Sequence, residues 1–338
     1  MQMGKNSDSP AYFPGIDWLK GMLILGVIFV HTLSGSMLEH ILYAFLMPVF
    51  IFITGFLLKE KYVKGVPFTT FMTRYNRRLV IPWLIASIIY LGINSVVRNQ
   101  VVWSATSAIE FFLYPFYHLW FIPGLLIMMA LLWLIVNRRI NFILVLIVSL
   151  LLSVAWFSYL KHQQLDHTVL YWIGDKRFYI YFFFYVMGFY LRNHPTVDFY
   201  KRVPLWLSLL AIVIGCLRSV GLIHKLIPSS TSGFFFISLN FGIITLCLNR
   251  VIQSGKLNNR FTDFCSQQSL GIYLYHYIPI LLLHDPVTTF IASYNMPASL
   301  QPYLVAAILF SMACLTVLPS IAWLAKFKKI NQLFFGLG

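Results

Sequence analysis

Hydrophobic residues in this chain come in ten long runs separated by short polar stretches. The runs fall at 16–36, 40–58, 79–97, 118–136, 140–160, 178–191, 204–222, 233–249, 269–284 and 302–325. Each is near the roughly 20 residues that a helix needs to cross a bilayer, 178–191 and 269–284 being the shortest. Most are apolar on every side instead of along one stripe, as buried spans are. The pattern predicts an all-α polytopic membrane protein of about ten transmembrane helices. It divides the chain into a cytoplasmic N-terminal segment (1–15), a ten-helix membrane domain (16–325) and a basic cytoplasmic tail (326–338).

Composition narrows the class. Of 338 residues, 59% are hydrophobic, 17% aromatic and only 10% charged, where a soluble domain carries about 25% charge. A soluble fold, disorder and coiled coil are excluded, and the runs leave no room for a soluble catalytic domain. The polar start, Met1 to Phe13, leads into an apolar stretch too long for a signal-peptide core, so no cleavable signal peptide is expected. The four cysteines, Cys216, Cys247, Cys265 and Cys314, lack metal-ligand spacing and a disulfide framework.

Charge sets the orientation. The net charge is +15, and no basic stretch is interleaved with aromatics on a soluble surface. The excess therefore reads as a positive-inside bias toward membrane lipids and the cytoplasm, with no nucleic-acid partner. With the N-terminus in the cytoplasm, 18 of the 25 Lys and Arg residues fall in inside segments and five (Arg98, Lys161, Lys176, Arg177, Lys225) outside, while Lys20 and Arg218 lie within spans. Both termini are thereby expected in the cytoplasm.

Ionisable residues inside spans are costly and point to function. The first run holds Asp17, Lys20 and His31. Lys20 and His31 are three turns plus about 20° apart, about 16 Å along the axis, and Asp17 lies one turn before Lys20 on the same face. Asp17 and Lys20 suit either a polar site or an interfacial ion pair. His31 suits either a hydrogen bond to a neighbouring helix or a general base acting on a hydroxyl. Arg74, Arg77 and Arg78 precede Leu79-Val80-Ile81-Pro82-Trp83, at the predicted cytoplasmic start of the third span. There a helix N-terminus and guanidinium groups would suit phosphates, although such clusters also simply anchor spans. Tyr117-His118-Leu119-Trp120 stands at the outer end of the fourth span, as an aromatic belt or a sugar-facing surface. In the ninth run Ser269, Tyr273 and His276 share one helical face, which must meet a helix or a cavity. P-loop, dinucleotide, HExxH and GxSxG motifs are absent from the sequence.

These segments together resemble the membrane acyltransferase-3 family of bacterial and animal O-acyltransferases. Lys20, ten residues and His31 are similar to its basic-x10-His signature. Met47-Pro48-Val49-Phe50-Ile51-Phe52-Ile53-Thr54-Gly55 resembles its Pro-x-Phe-Phe-x-x-Ser-Gly stretch, with Thr54 where Ser is usual. Arg74, Arg77, Arg78 and Pro82 resemble its arginine-rich third helix. His118-Leu119-Trp120-Phe121 and Ser269-Leu270-Gly271-Ile272-Tyr273-Leu274-Tyr275-His276 look like two further motifs, in the family's order. Lys20 departs from the commoner Arg, which removes a bidentate contact.

The resemblance implies an O-acyltransferase of the bacterial cytoplasmic (inner) membrane. It would move an acyl group, most often acetyl, from cytosolic acetyl-CoA or another acyl-CoA to a hydroxyl of a sugar in a surface glycan or lipid-linked precursor. The donor is a substrate, and no permanently bound cofactor or metal is implied. His31 would be the base, and Asp17 and Lys20 would shape the donor side of the tunnel. Arg74, Arg77 and Arg78 would hold the donor's phosphates. His118, Trp120, Tyr117, Ser269, Tyr273 and His276 would line the acceptor pocket. Glu110 and Asp175 are candidates for orienting an imidazole. No extracytoplasmic hydrolase-like domain follows, so acceptor capture would fall to the membrane domain or a separate partner. The competing reading is an exporter or flippase of a polysaccharide or lipid-linked sugar, although inverted repeats and matched broken helices are missing.

Overall fold

A computed structural model describes residues 13–33, 35–98, 117–159, 177–194, 199–221, 228–252, 254, 257, 259–294 and 296–337. The described residues form helices and connecting turns, with no strand among them. Helices α1 (Pro14–Thr32) and α2 (Met37–Leu57) are followed by α3 (Phe68–Tyr75) and α4 (Ile81–Arg98), then α5 (Phe121–Asn137), α6 (Phe142–Ser158), α7 (Arg177–Asn193) and α8 (Leu205–Ser219). The chain continues through α9 (Ser232–Leu246), α10 (Arg260–Gln267), α11 (Ser269–Tyr275), α12 (Tyr277–Ala292), α13 (Gln301–Leu324) and α14 (Lys328–Phe335). Every predicted apolar run is occupied by a helix or a helix pair. Among the described residues, five continuous helical stretches are long and apolar enough to span a bilayer, and α5, α6 and α8 are shorter apolar helices. The chain is a multi-pass membrane protein.

Local sequence accounts for the boundaries. Pro14 opens α1, where the missing N–H costs nothing. Ser36 caps α2 by accepting from the Glu39 N–H, while Glu39 accepts from the Gly35 N–H at 2.6 Å. Asn141 and Asn259 cap α6 and α10 in the same way. Prolines inside helices leave carbonyls to be satisfied from elsewhere. Pro48 cannot bond the Ala44 carbonyl, and buried Asn240 of α9 donates to it at 2.9 Å. A membrane offers that carbonyl no water, so the Asn240 contact is the local solution.

The third span differs from its prediction. Helical structure begins at Phe68, runs through α3, widens into a π turn at Asn76–Val80 and continues as α4. Pro82 supplies no N–H to the preceding turn, which explains the widening. Arg74, Arg77 and Arg78 therefore lie within a continuous helical stretch, whose backbone N–H groups are already bonded. The expected helix N-terminus for phosphate is absent there. Hydropathy marks where lipid begins, whereas this helix starts about three turns before it.

Helix α2 packs most extensively on α7. A Cβ at Gly55 would lie 2.1 Å from the Tyr185 carbonyl oxygen, and one at Gly188 2.1 Å from that of Phe52. Only glycine permits this crossing, as in other close-packed membrane helices. Residues 58–66, between α2 and α3, are clamped by side chains. Asn193 donates to the Leu58 carbonyl and accepts from the Glu60 N–H, while Asn137 donates to Val63 and accepts from Gly65. Trp133 Nε1 donates to the Val66 carbonyl at 2.7 Å.

Residues after 326 do more than carry charge. They include α14, which packs on α4 and the π turn and buries Phe335.

Candidate active site

Two polar regions lie along the same helices. The first is a cavity of about 670 Å³, here called the basin, lined by Asp17, Lys20, Arg78, Ser266, Gln268, Ser269 and Asn331, with Phe50, Thr54, Leu58, Leu125, Met129 and Tyr185 among its other walls. Its charged groups are interlocked. The Ser266 hydroxyl donates to Asp17 Oδ1 at 2.7 Å, and Lys20 Nζ donates to the Ser266 carbonyl at 3.3 Å. Asp17 and Arg78 both act electrostatically on Lys20. The expected pairing of Asp17 with Lys20 is thus joined by Ser266 of α10. Two cations against one carboxylate suit an anionic ligand.

The second region is a cluster of three imidazoles. The ring of His31 lies 5.2 Å from that of His276 and 5.7 Å from that of His118, and His118 and His276 are 4.6 Å apart. Tyr277 packs on His31 at 5.4 Å and on Tyr117 at 4.7 Å. The Tyr43 hydroxyl is 3.2 Å from His31 Nδ1. His118 and His276 are buried, whereas His31 is partly exposed. Among the described residues no three or more His, Cys, Asp or Glu side chains are arranged to hold a metal ion.

His276 has a defined tautomer. Its Nδ1 lies 3.0 Å from the Ile272 carbonyl and 2.9 Å from that of Tyr273. Carbonyls only accept, so Nδ1 carries the hydrogen. Nε2 then holds a lone pair, buried and without a hydrogen-bond partner. Those carbonyls lie one turn back, at positions i−4 and i−3, within reach of the His276 side chain at the break between α11 and α12. The ring of His118 faces the backbone of Tyr273 and Leu274, but neither of its nitrogens is aligned for a hydrogen bond.

Tyr273 joins the two regions. It lines the basin, its ring is 5.0 Å from His118 and 5.4 Å from Phe121, and its hydroxyl donates to the His118 carbonyl. Trp83 Nε1 donates to the Leu119 carbonyl at 3.0 Å, and the Tyr117 hydroxyl donates to Asn94 at 2.7 Å. These bonds hold the turn before α5, where Tyr117 has a φ of 50°, a conformation that persists only when its surroundings impose it.

The expected site residues thus separate. Asp17, Lys20, Arg78, Ser269 and Tyr273 line the basin, while His31, Tyr117, His118 and His276 form the cluster. Ser269, Tyr273 and His276 share a face, as expected, but that face spans both regions. Arg74 and Arg77 are exposed and not among the basin's lining residues; Arg74 donates to the Tyr62 carbonyl at 3.5 Å. Trp120 stacks on Tyr181 at 5.8 Å and is buried outside the basin. Glu110 and Asp175 lie outside the described residues. Sequence reasoning missed Tyr43, Tyr277, Ser266, Gln268 and Asn331. Tyr277 adjoins a noted motif, and the polar run Ser266-Gln267-Gln268 stands directly before one.

The helical bundle thus sets a charged basin beside a cluster of three histidines. Residues 13–321 match the family model described as an acyltransferase domain, Acyl_transf_3. The chain belongs to this acyltransferase-3 family and is a membrane acyltransferase. No curated protein and no solved structure matches it.

Proposed function

We propose that this protein transfers an acyl group, acetyl foremost, from cytosolic acyl-CoA to a sugar hydroxyl of a surface glycan or lipid-linked precursor at the bacterial inner membrane. The observation that carries the reading is the basin. It sets the cations Lys20 and Arg78, a series of apolar side chains and Tyr273 around one cavity, and the His118 ring packs on Tyr273. A nucleotide with phosphates and a long thin arm ending in a thioester fits that sequence of environments. The basic residues that orient the chain support approach of the donor from the cytoplasmic side.

In this reading His31 takes the proton of the acceptor hydroxyl as its oxygen attacks the thioester carbonyl carbon. The tetrahedral intermediate then expels the CoA thiolate, which takes up a proton. His276 Nε2 is available to relay the proton from His31. His118 and Tyr117 bound the acceptor side, and Trp120 supports them from behind. Arg74 and Arg77 add long-range attraction for the anionic donor. The exporter reading has no observation in its favour once the acyltransferase domain is in hand.

The test is thiol release from acetyl-CoA by the full chain in nanodiscs, with a panel of candidate glycans. Wild type should turn over, and His31→Ala should bind donor without turnover. Equal turnover in both would remove His31 from the chemistry. Failure of wild type to bind or consume any acyl-CoA would overturn the reading.

A further inference from the structure

A second cavity, of about 360 Å³, lies where the connection after α2, the turn between α5 and α6 and the end of α7 meet. Its walls include Glu60 and Lys64 from the first, Arg139 and Phe142 from the second, and Tyr190 and His194 from the third. The three walls are tied to one another. Asn137, two residues before Arg139, accepts from the Gly65 N–H, and Asn193, beside His194, accepts from the Glu60 N–H, each at 2.8 Å. The outline of the cavity is thus set by fixed backbone.

Arg139 stands there against a conformational cost. Helix α5 ends with the Ile140 N–H on the Ile135 carbonyl at 3.0 Å and the Arg139 N–H on the Val136 carbonyl at 3.3 Å. That pair of bonds goes with residue 139 in the left-handed region, at φ 54°. Glycine is the usual occupant of such a position, because a side chain crowds the following carbonyl. Here an arginine holds it and borders the cavity, and a strained residue at a cavity points to a role for its side chain. Its guanidinium has no hydrogen-bond or ion-pair partner among the described residues. Lys64 Nζ, the second cation, is paired at 3.0 Å with Glu60, the carboxylate of this lining. Two cations against one carboxylate leave a positive charge to be answered.

The remaining walls face lipid. Ile143 of α6 lines the cavity, and Ile143, Ile147 and Leu151 follow at one-turn spacing, each half exposed or more. So bare a stripe on a membrane helix meets acyl chains. The Tyr190 and His194 rings lie 4.4 Å apart with Phe142 within 6.0 Å of both, an aromatic surface of the kind favoured at headgroup depth.

We propose that this cavity binds the headgroup of an anionic phospholipid of the cytoplasmic leaflet. Arg139 and Lys64 hold its phosphate, and the stripe from Ile143 to Leu151 carries an acyl chain. Anchoring by positive charge alone would accept a basic residue anywhere on the turn; it does not call for an arginine in a left-handed position on a built cavity. The site is independent of the acyl donor and acceptor.

The experiment places the full chain in nanodiscs of phosphatidylcholine and phosphatidylglycerol with matched chains, and native mass spectrometry counts the lipids retained on release. Wild type should retain phosphatidylglycerol over phosphatidylcholine about tenfold, the scale of basic contacts with an anionic headgroup. Arg139→Gly should lower that preference about fivefold. Glycine suits the left-handed position better than arginine, so this variant should fold at least as well as wild type. Arg138→Ala removes the same charge from an exposed neighbour outside the cavity lining, and should keep the preference within about twofold, because a charge without a contact is screened. Lys64→Met should lower it as far as Arg139→Gly does. Equal losses in Arg138→Ala and Arg139→Gly reduce the effect to surface charge and overturn the site. Unchanged preference in both Arg139→Gly and Lys64→Met overturns it outright. Glycerol 3-phosphate that binds the chain in pure phosphatidylcholine, and is lost in Arg139→Gly, would assign the cavity to a soluble anion and overturn the lipid.

Discussion

The basin and the histidine cluster are built from the same segments, yet they solve opposite problems. α1 gives Asp17 and Lys20 to one and His31 to the other, and α2 gives Phe50 and Thr54 to one and Tyr43 to the other. The break between α11 and α12 divides Ser269 and Tyr273 from His276 and Tyr277. In the basin, formal charges are tied down by a hydroxyl and a backbone carbonyl. In the cluster, imidazoles and phenols meet ring to ring, and both nitrogens of His118 and Nε2 of His276 lack hydrogen-bond partners, while His31 Nδ1 meets the Tyr43 hydroxyl. In the proposed reading, fixed charge holds the donor and the imidazole nitrogens accept protons. The difference teaches how a single helix would serve binding and chemistry by changing its polar residue type about three turns along.

This division predicts how mutations separate. The largest effect belongs to the cluster: His31→Ala should lower kcat by about 10²–10⁴, the range for losing a general base, with coenzyme A binding unchanged by titration. A parallel loss of binding would collapse the two regions into one. Next come the basin cations. Lys20→Met and Arg78→Ala should each raise KM for acetyl-CoA about tenfold with kcat nearly kept, as expected for a charge-assisted contact of about 1.5 kcal/mol. Tyr43→Phe removes the hydroxyl beside His31 Nδ1 and should cost about 1 kcal/mol, roughly fivefold in kcat. Initial rates at saturating donor measure it. Smallest of all, Arg74→Ala and Arg77→Ala should change KM by less than about threefold, an effect that fades in titrations at raised salt because exposed charges are screened. A tenfold, salt-resistant effect of Arg74→Ala would extend the basin to the outer arginines.

Much of this was legible before any coordinates. Bilayer-length apolar runs located the helices because each run had to satisfy lipid by itself. The three-turn spacing from Lys20 to His31 put both on one face because helix geometry is local. What was not legible depended on partners. His31, His118 and His276 were each noticed, but no single-chain pattern reports the distance between helices. Hydropathy changes at the arginine cluster and so suggests a helix start there, although the helix continues back through the π turn to Phe68. Asn331 lies in a segment whose basic residues suggest only a charged tail. Its apolar positions, Ile330, Phe334 and Phe335, already traced a helical face.

The clamp on residues 58–66 has a consequence for time. Asn137, Asn193 and Trp133 occupy the carbonyls of Leu58, Val63 and Val66, and the two asparagines also hold the amide hydrogens of Glu60 and Gly65. A connection of this kind ordinarily frays within nanoseconds to microseconds. Here its amide protons at residues 60 and 65 should exchange with deuterated solvent as slowly as those of the helices beside it. The rim that contributes Leu58 to the basin is therefore in place before any ligand arrives. A ligand meeting it gives up its own freedom without also having to order the rim.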